Sequence, residues 1–127
     1  MNRWSDFKRS FRHAWRGLRY AVLNEKNFQN ELAVGILIMI AMVYFHVTRA
    51  EMVVLFLVIA GVLIMELLNT IMERVVDILK PRVHPYARLI KDLMAASVLV
   101  SSILAIIIGL IIFIPYILDK FTDLGWL

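Results

Sequence analysis

The sequence predicts an all-α integral membrane protein in which an amphipathic surface helix precedes three transmembrane helices. Of its 127 residues, 61% are hydrophobic, and the mean hydropathy is +0.78. A soluble core of this size cannot bury so much apolar surface, so the bilayer is the expected solvent. The apolar residues form three long runs, and most cations lie outside them. The length suits a single domain over residues 1–127.

The first predicted element is an amphipathic helix over about 5–28. Apolar side chains recur there every three or four residues, which places them on one helical face. Basic residues occupy most of the other face, and this pattern is typical of a helix that lies in the membrane interface. Nucleic-acid binding is the alternative for the basic residues, and the attached membrane segments argue against it. The apolar face consists of Phe7, Phe11, Trp15, Leu18 and Val22.

Three apolar segments follow and are predicted to be transmembrane helices over about 31–48, 52–79 and 91–118. A bilayer core offers no water to backbone N–H and C=O groups, so each segment is expected to be helical. Pro81 ends the second segment, whereas Pro115 lies near the end of the third, where membrane helices tolerate proline.

Lysine and arginine are distributed unevenly around these segments. Seven precede the first segment and five lie between or at the edges of the second and third, whereas Arg49 and Lys120 lie on the opposite side. The positive-inside rule therefore predicts a cytoplasmic N-terminus and an external C-terminus.

A line of polar residues marks the end of the second segment, in "MELLNTIMERVVD". Glu66, Asn69, Glu73 and Asp77 are spaced three, four and four residues apart, which places them within about 80° on a helix. Glu66 lies within the apolar segment, where an ionisable side chain costs a few kcal/mol and normally faces protein or a water-filled cavity.

Two interpretations of this line are open. In the structural one, Glu66 is protonated and hydrogen-bonded to a neighbouring helix, and Glu73 and Asp77 are solvated or paired with Arg74 or Lys80. In the functional one, carboxylates near one membrane surface hold Mg²⁺, and the deeper Glu66 acts as a base toward a hydroxyl group.

Other polar groups are expected on the same side of the membrane. Glu25, in "LNEKNF", lies where the surface helix meets the first segment, and Lys91 and Asp92 open the third. Lysine can bind a phosphate as a point charge. Together these residues favour phosphoryl transfer from a nucleotide to a lipid hydroxyl.

The absence of certain motifs and of cysteine excludes several classes of site, whereas two alternative functions stay open. The chain has no GxxxxGK[ST] or GxGxxG motif, which excludes a P-loop or protein-kinase nucleotide site. It has no cysteine, which excludes a disulfide framework and thiolate chemistry. A proton- or ion-coupled membrane protein with Glu66 as proton carrier, and a non-catalytic assembly factor, stay open as alternatives.

The segment "ELLNTIMERVVD", preceded by "RGLRYAVLNEKNFQNE" and followed by "HPYARLIKDLMAASVL", resembles the prokaryotic diacylglycerol kinase family, which includes the undecaprenol kinases. The resemblance runs from Phe7 to about Pro115. It implies a small membrane kinase that uses ATP and Mg²⁺ and assembles as a homotrimer with shared active sites. Three helices form only a thin wall around a site, which also favours sharing between subunits.

The resemblance also implies roles for individual residues. Glu66 matches the catalytic base, and Asn69 matches an amide that orders the site. Glu25 and Glu73 match the carboxylates that hold the metal on ATP. The nucleotide-binding candidates are Glu25, Glu73, Asp77, Arg82, His84, Lys91, Asp92 and His13, the last of which is otherwise a solvated histidine. The lipid-substrate candidates are Trp15, Arg19, Glu31 and Glu66.

The acceptor lipid is expected to be undecaprenol, with diacylglycerol as the alternative. "NEKNFQ", "ELLNT", the "HP" before Lys91 and Asp92, and "IIGLIIFIP" near the end resemble the undecaprenol kinase branch more than the diacylglycerol branch.

Overall fold

The computed structural model describes residues 2–79 and 85–125, which form four α-helices. Three of the described helices, α2 to α4, are long and apolar enough to cross a membrane. The prediction of an all-helical membrane protein with three spans is therefore confirmed. The helices are α1 (Arg3–Asn24), α2 (Lys26–Phe45), α3 (Arg49–Ile78) and α4 (Pro85–Asp123).

The joint between α1 and α2 lies earlier than the expected end near residue 28. Glu25 has an extended backbone (φ −102°, ψ 106°), which ends α1 and begins α2. The Gln29 side-chain amide donates to the Val22 carbonyl at 2.9 Å across this joint. The apolar residues of α1, such as Phe7 and Phe11, are exposed in the single chain. The placement of α1 in the membrane interface stays a prediction.

The joint between α2 and α3 is fixed by a left-handed residue and a capping box. His46 has φ 53° and ψ 49°, a conformation that commonly ends a helix. Thr48 Oγ1 accepts from the Glu51 backbone N–H at 3.2 Å, and Glu51 Oε2 accepts from the Thr48 N–H at 2.9 Å. These reciprocal bonds satisfy free N–H groups, so α3 begins at Arg49 rather than near residue 52.

Helix α3 packs against both α2 and α4, and neighbouring helices are antiparallel. At one end, the rings of Phe45 and Phe113 are 5.9 Å apart, and the Tyr116 hydroxyl donates to Glu51 at 2.6 Å. At the other end, Lys91 Nζ lies 3.0 Å from an Asp77 oxygen. Helix α3 is about 45 Å long, more than the roughly 30 Å of hydrocarbon, so its ends reach the polar interfaces.

An apolar groove of about 490 Å³ runs between α2, α3 and α4. It begins at Glu31 and continues past Gly35 and Ile59 to Phe113. A Cβ atom at Gly35 would lie 3.0 Å from the Ile59 side chain, so glycine permits the close approach of α2 to α3. The groove thus joins the end that carries the acidic residues to the opposite end of the bundle.

Candidate active site

The polar line on α3 runs from the interior to the surface. Glu66 and Asn69 are 3% and 6% exposed, Glu73 is half-buried and Asp77 is exposed. The spacing that suggested one helical stripe therefore brings two polar side chains into the packed part of the molecule and leaves the others near the helix end.

Residues from the α1–α2 joint surround Glu66. The Asn27 side chain forms a hydrogen bond with the Glu66 carboxylate. The carboxylates of Glu25, Glu73 and Glu31 are close enough to Glu66 to repel its charge. These four carboxylates, Glu25, Glu31, Glu66 and Glu73, are called the acidic cluster below. The cluster forms because the break at Glu25 turns the start of α2 toward α3.

Two oxygens of this region lack a hydrogen-bond partner among the described residues. They are Oδ1 of Asn69 and Oε2 of Glu31, and both are buried. The Asn69 amide group is engaged, because its Nδ2 donates to Glu73 at 3.4 Å. A buried acceptor without a donor costs about 1–3 kcal/mol, so both oxygens mark positions where a ligand donor would be stabilising.

Among the residues that the structure describes, two cations make ion pairs at this end of the molecule. Arg74 Nη2 lies 2.8 Å from Glu25 Oε1 and donates to the Tyr20 hydroxyl at 3.4 Å, while Lys91 pairs with Asp77 at 3.0 Å. The structural interpretation had paired Glu73 and Asp77 with Arg74 or Lys80. Its Arg74 pairing was wrong, because α3 directs Arg74 toward the α1–α2 joint. Lys80 lies outside the described residues.

The predicted lipid- and nucleotide-contacting residues on α1 lie farther away. His13, Trp15 and Arg19 precede Glu25 by about 18, 15 and 9 Å along the helix axis. All three are exposed, and within the described chain they make no side-chain hydrogen bond to the acidic cluster. The structure therefore does not bring them into the site of a single chain.

The remaining nucleotide-binding candidates lie at the start of α4 or before it. Lys91 is half-buried and pairs with Asp77, which lies about one helical turn beyond Glu73 on α3. Asp92 is exposed. Arg82 and His84 lie outside the described residues. The nucleotide candidates that the structure brings nearest to Glu66 are thus Glu25 and Glu73.

The carboxylates near Glu66 fit a metal ion that binds together with a nucleotide. Within residues 2–79 and 85–125, no group of three or more acidic, histidine or cysteine side chains could hold a metal ion by itself. Glu25 and Glu73 nevertheless both approach Glu66 from separate elements. Magnesium is commonly held by one or two carboxylates together with phosphate oxygens and water, which matches this pair of residues.

The sequence interpretation missed two contributors to the site. Asn27 lies two residues after Glu25 in "NEKNF", and this position is the signal that the sequence offers for it. Tyr20 has no distinctive pattern, because it is an aromatic residue on a basic helix. Its contact with Arg74 depends on how α1 is placed beside α3.

Comparison with known proteins gives a family and several named relatives. The family described as prokaryotic diacylglycerol kinase matches residues 12–113. The chain is 37% identical over 114 residues to an undecaprenol kinase of Bacillus subtilis, covering 90% of this chain and 93% of that protein. It is 36% identical over 111 residues to a diacylglycerol kinase of Synechocystis sp., covering 87% and 63%. A diacylglycerol kinase of Escherichia coli is 33% identical over 95 residues, covering 75% and 78%.

Proposed function

The chain belongs to the prokaryotic diacylglycerol kinase family, and from this premise we propose that it transfers the γ-phosphate of ATP to the hydroxyl group of undecaprenol. The observation that carries the proposal is the burial of Glu66 in a membrane-crossing helix, beside Glu25 and Glu73. A carboxylate in this position can meet both a lipid hydroxyl from the membrane and a nucleotide from the aqueous side.

Glu66 is the proposed general base. It accepts the proton of the lipid hydroxyl, whose oxygen attacks the γ-phosphorus while the bond to the leaving ADP oxygen breaks. Asn27 orients the Glu66 carboxylate through its hydrogen bond, and Asn69 orients Glu73. The burial of Glu66 keeps bulk water from the attacking position, which favours transfer to lipid over hydrolysis.

Glu25 and Glu73 are the residues that would hold Mg²⁺. When bound there, the metal would supply positive charge that offsets the charge of the phosphates during transfer. Lys91, which pairs with Asp77, would supply a positive charge for the phosphates. Asp92, Arg82, His84 and His13 remain proposed nucleotide contacts.

The apolar groove favours an acceptor alcohol that carries a long hydrocarbon chain. Its polar end contains Glu31, whose Oε2 is buried without a partner among the described residues and whose carboxylate is close to Glu66. A hydroxyl held at Glu31 and Glu66 would leave the attached chain in the groove. Trp15 and Arg19 would contact the lipid from the surface helix.

The relatives support undecaprenol and retain diacylglycerol as the alternative acceptor. The relative named undecaprenol kinase is covered over 93% of its length at 37% identity. The relatives named diacylglycerol kinase are covered over 63% and 78%. The same base and the same carboxylates would serve either alcohol, so the acceptor depends on the groove rather than on the acidic cluster.

We also propose a homotrimer in the inner membrane with active sites shared between subunits. Apolar side chains such as Leu57, Leu99 and Val100 are 60–68% exposed in the single chain, and lipid or another subunit must cover them. Chemical cross-linking in micelles should give a product of three chains. A product that never exceeds one chain would contradict the trimer and leave the kinase proposal standing.

One assay tests the function. The purified protein in micelles receives labelled ATP, Mg²⁺ and one of three alcohols: undecaprenol, diacylglycerol or a short isoprenoid alcohol. We expect labelled lipid phosphate in the order undecaprenol, diacylglycerol, short alcohol. No transfer to any alcohol, with proton or ion flux in liposomes independent of ATP, would replace the kinase with the transport alternative. Faster transfer to diacylglycerol would reverse the acceptor order.

A further inference from the structure

We propose that Arg74 is a phosphate-binding residue whose guanidinium group, paired with Glu25 in the structure, moves onto the nucleotide phosphates when Glu25 binds the metal. The inference rests on the proposed kinase function. Arg74 is not one of the motif residues to which a role was assigned, and it is not a member of the acidic cluster.

The geometry places Arg74 between the site and the solvent. Its Nη2 lies 2.8 Å from Glu25 Oε1 and 3.4 Å from the Tyr20 hydroxyl. The Glu25 side chain is 17% exposed, whereas that of Arg74 is 58% exposed. The guanidinium group therefore covers a proposed metal ligand from the aqueous side, where a nucleotide would approach.

The guanidinium group retains free binding capacity. Arginine carries five N–H donors in one plane, and both contacts of Arg74 within the described chain use Nη2. The donors on Nε and Nη1 are therefore available for a phosphate, which arginine binds through two parallel hydrogen bonds. Arg74 already reaches Glu25 of the acidic cluster, so a rotation of its long side chain, without backbone movement, can turn it toward a nucleotide bound at Glu25.

Charge explains why an exchange is favourable. The acidic cluster repels a triphosphate, and within residues 2–79 and 85–125 Arg74 is the cation that makes an ion pair with the cluster. A Glu25 oxygen that binds a metal ion would bind the guanidinium group more weakly, because the two cations repel each other. Metal uptake by Glu25 would release Arg74 beside the incoming phosphates, where its charge is then needed.

A purely structural role is the competing explanation. Arg74 links α3 to Tyr20 on α1 and to Glu25 at the joint, so it could simply brace the two helices. A brace predicts that removing Arg74 misplaces Glu25 and weakens metal binding. The exchange predicts the reverse for the metal, because Glu25 loses a competing cation.

The test uses Arg74→Gln in the full-length protein in micelles. Binding of a fluorescent ATP analogue is measured with and without Mg²⁺, and the free Mg²⁺ that gives half-maximal lipid phosphorylation is measured at saturating ATP. We expect analogue binding to weaken about tenfold or more with Mg²⁺, as for a lost charged hydrogen bond, and to weaken less without Mg²⁺, when Arg74 stays paired with Glu25. We expect the half-maximal Mg²⁺ concentration to fall. Arg74→Lys should recover part of the binding, since it keeps the charge without the planar fork.

The matched control is Arg9→Gln. Arg9 is an exposed cation on the same predicted side, paired with Asp6 at 3.3 Å, and its loss should change neither quantity. Unchanged analogue binding in Arg74→Gln, or a higher Mg²⁺ requirement, would overturn the exchange. If Arg74→Gln does not fold, unchanged binding in Arg74→Lys serves as the refuting result. A wild-type protein that binds no analogue would instead refute the kinase function itself.

Discussion

Glu66 is 3% exposed within a membrane helix, where a carboxylate is costly unless it is paired. Its surroundings supply one amide, from Asn27, and three further carboxylates that repel it. A side chain kept only to join helices would gain nothing from such neighbours. Departures from favourable packing concentrate at functional sites, so the surroundings of Glu66 favour the catalytic interpretation over the structural one.

The Glu66→Gln variant separates catalysis from folding. Glutamine preserves the size of the side chain and its hydrogen bond with Asn27, but it cannot accept the hydroxyl proton. We expect lipid phosphorylation to fall by roughly 10²–10⁴-fold, as for the loss of a general base. Transfer of label from ATP to undecaprenol measures the loss, and unchanged binding of an ATP analogue is the control. A fully active variant would refute the base assignment.

The Glu73→Gln variant tests the metal site. The neutral amide is a weaker magnesium ligand than a carboxylate, so we expect the half-maximal Mg²⁺ concentration for lipid phosphorylation to rise about tenfold. Asn69→Ala is the companion variant, because it removes the 3.4 Å bond to Glu73 and should raise the Mg²⁺ requirement less. An Mg²⁺ dependence identical to that of the wild type would exclude Glu73 as a ligand.

At the scale of helices, the site depends on where the elements break. The extended residue Glu25 turns the chain between α1 and α2, and this turn brings Glu25, Asn27 and Glu31 to the face of α3 that carries Glu66. If one continuous helix ran through this region, the rotation of about 100° per residue would point these side chains in different directions. The joint therefore builds half of the acidic cluster.

The close approach of α2 to α3 at Gly35 gives a test of packing. In Gly35→Leu, a leucine side chain must fit beside Ile59, where even a Cβ atom would lie only 3.0 Å from the Ile59 side chain. We expect a loss of about 1–3 kcal/mol in stability from overpacking, seen as a lower unfolding temperature in micelles. Gly61→Leu is the matched control, since nothing lies within 4 Å of its Cβ position. Equal unfolding temperatures for the two variants would contradict this packing.

The bond between Tyr116 and Glu51 ties α4 to the capping box that begins α3. Tyr116→Phe removes a 2.6 Å hydrogen bond to a carboxylate, so we expect a loss of about 1–3 kcal/mol in stability. Lipid phosphorylation at a permissive temperature should persist, because Glu51 precedes Glu66 by about 22 Å along α3. Tyr44→Phe is the control, as it keeps the ring beneath Lys120. An unfolding temperature equal to that of the control would show that the bond contributes nothing.

At the scale of the whole molecule, the antiparallel helices separate two polar ends. Asp77, Lys91 and the acidic cluster lie at one end, and Glu51 and Tyr116 lie at the other. The proposed chemistry needs ATP, which is available in the cytoplasm, so we expect the acidic end to face inward. The distribution of lysine and arginine predicts the same orientation.

Single cysteines test this orientation directly, because the chain has no cysteine of its own. We expect Leu124→Cys to react with a membrane-impermeant maleimide in intact cells. Ser10→Cys should react only after the cells are permeabilised. Both positions are exposed, so access to the reagent depends on the side of the membrane. The opposite labelling pattern would invert the topology and place the acidic cluster away from ATP.

Local patterns in the sequence were sufficient to predict the three membrane helices, the polar line on the second and the family. Each follows from local pattern, because a bilayer requires long apolar helices and the helical period aligns Glu66 with Asn69. The family that the motif around Glu66 resembles is confirmed by the match over residues 12–113. The boundary of α1 was less accurate, because Glu25 interrupts an otherwise continuous helical pattern.

The contacts that these residues make depend on how the helices pack against one another. That Arg74 contacts Glu25, that Asp77 contacts Lys91, and that Asn27 meets Glu66 all depend on the depth and rotation of one helix against another. Side-chain packing between helices sets these two quantities, as the contact of Gly35 with Ile59 illustrates. The periodicity within a single helix contains no information about them.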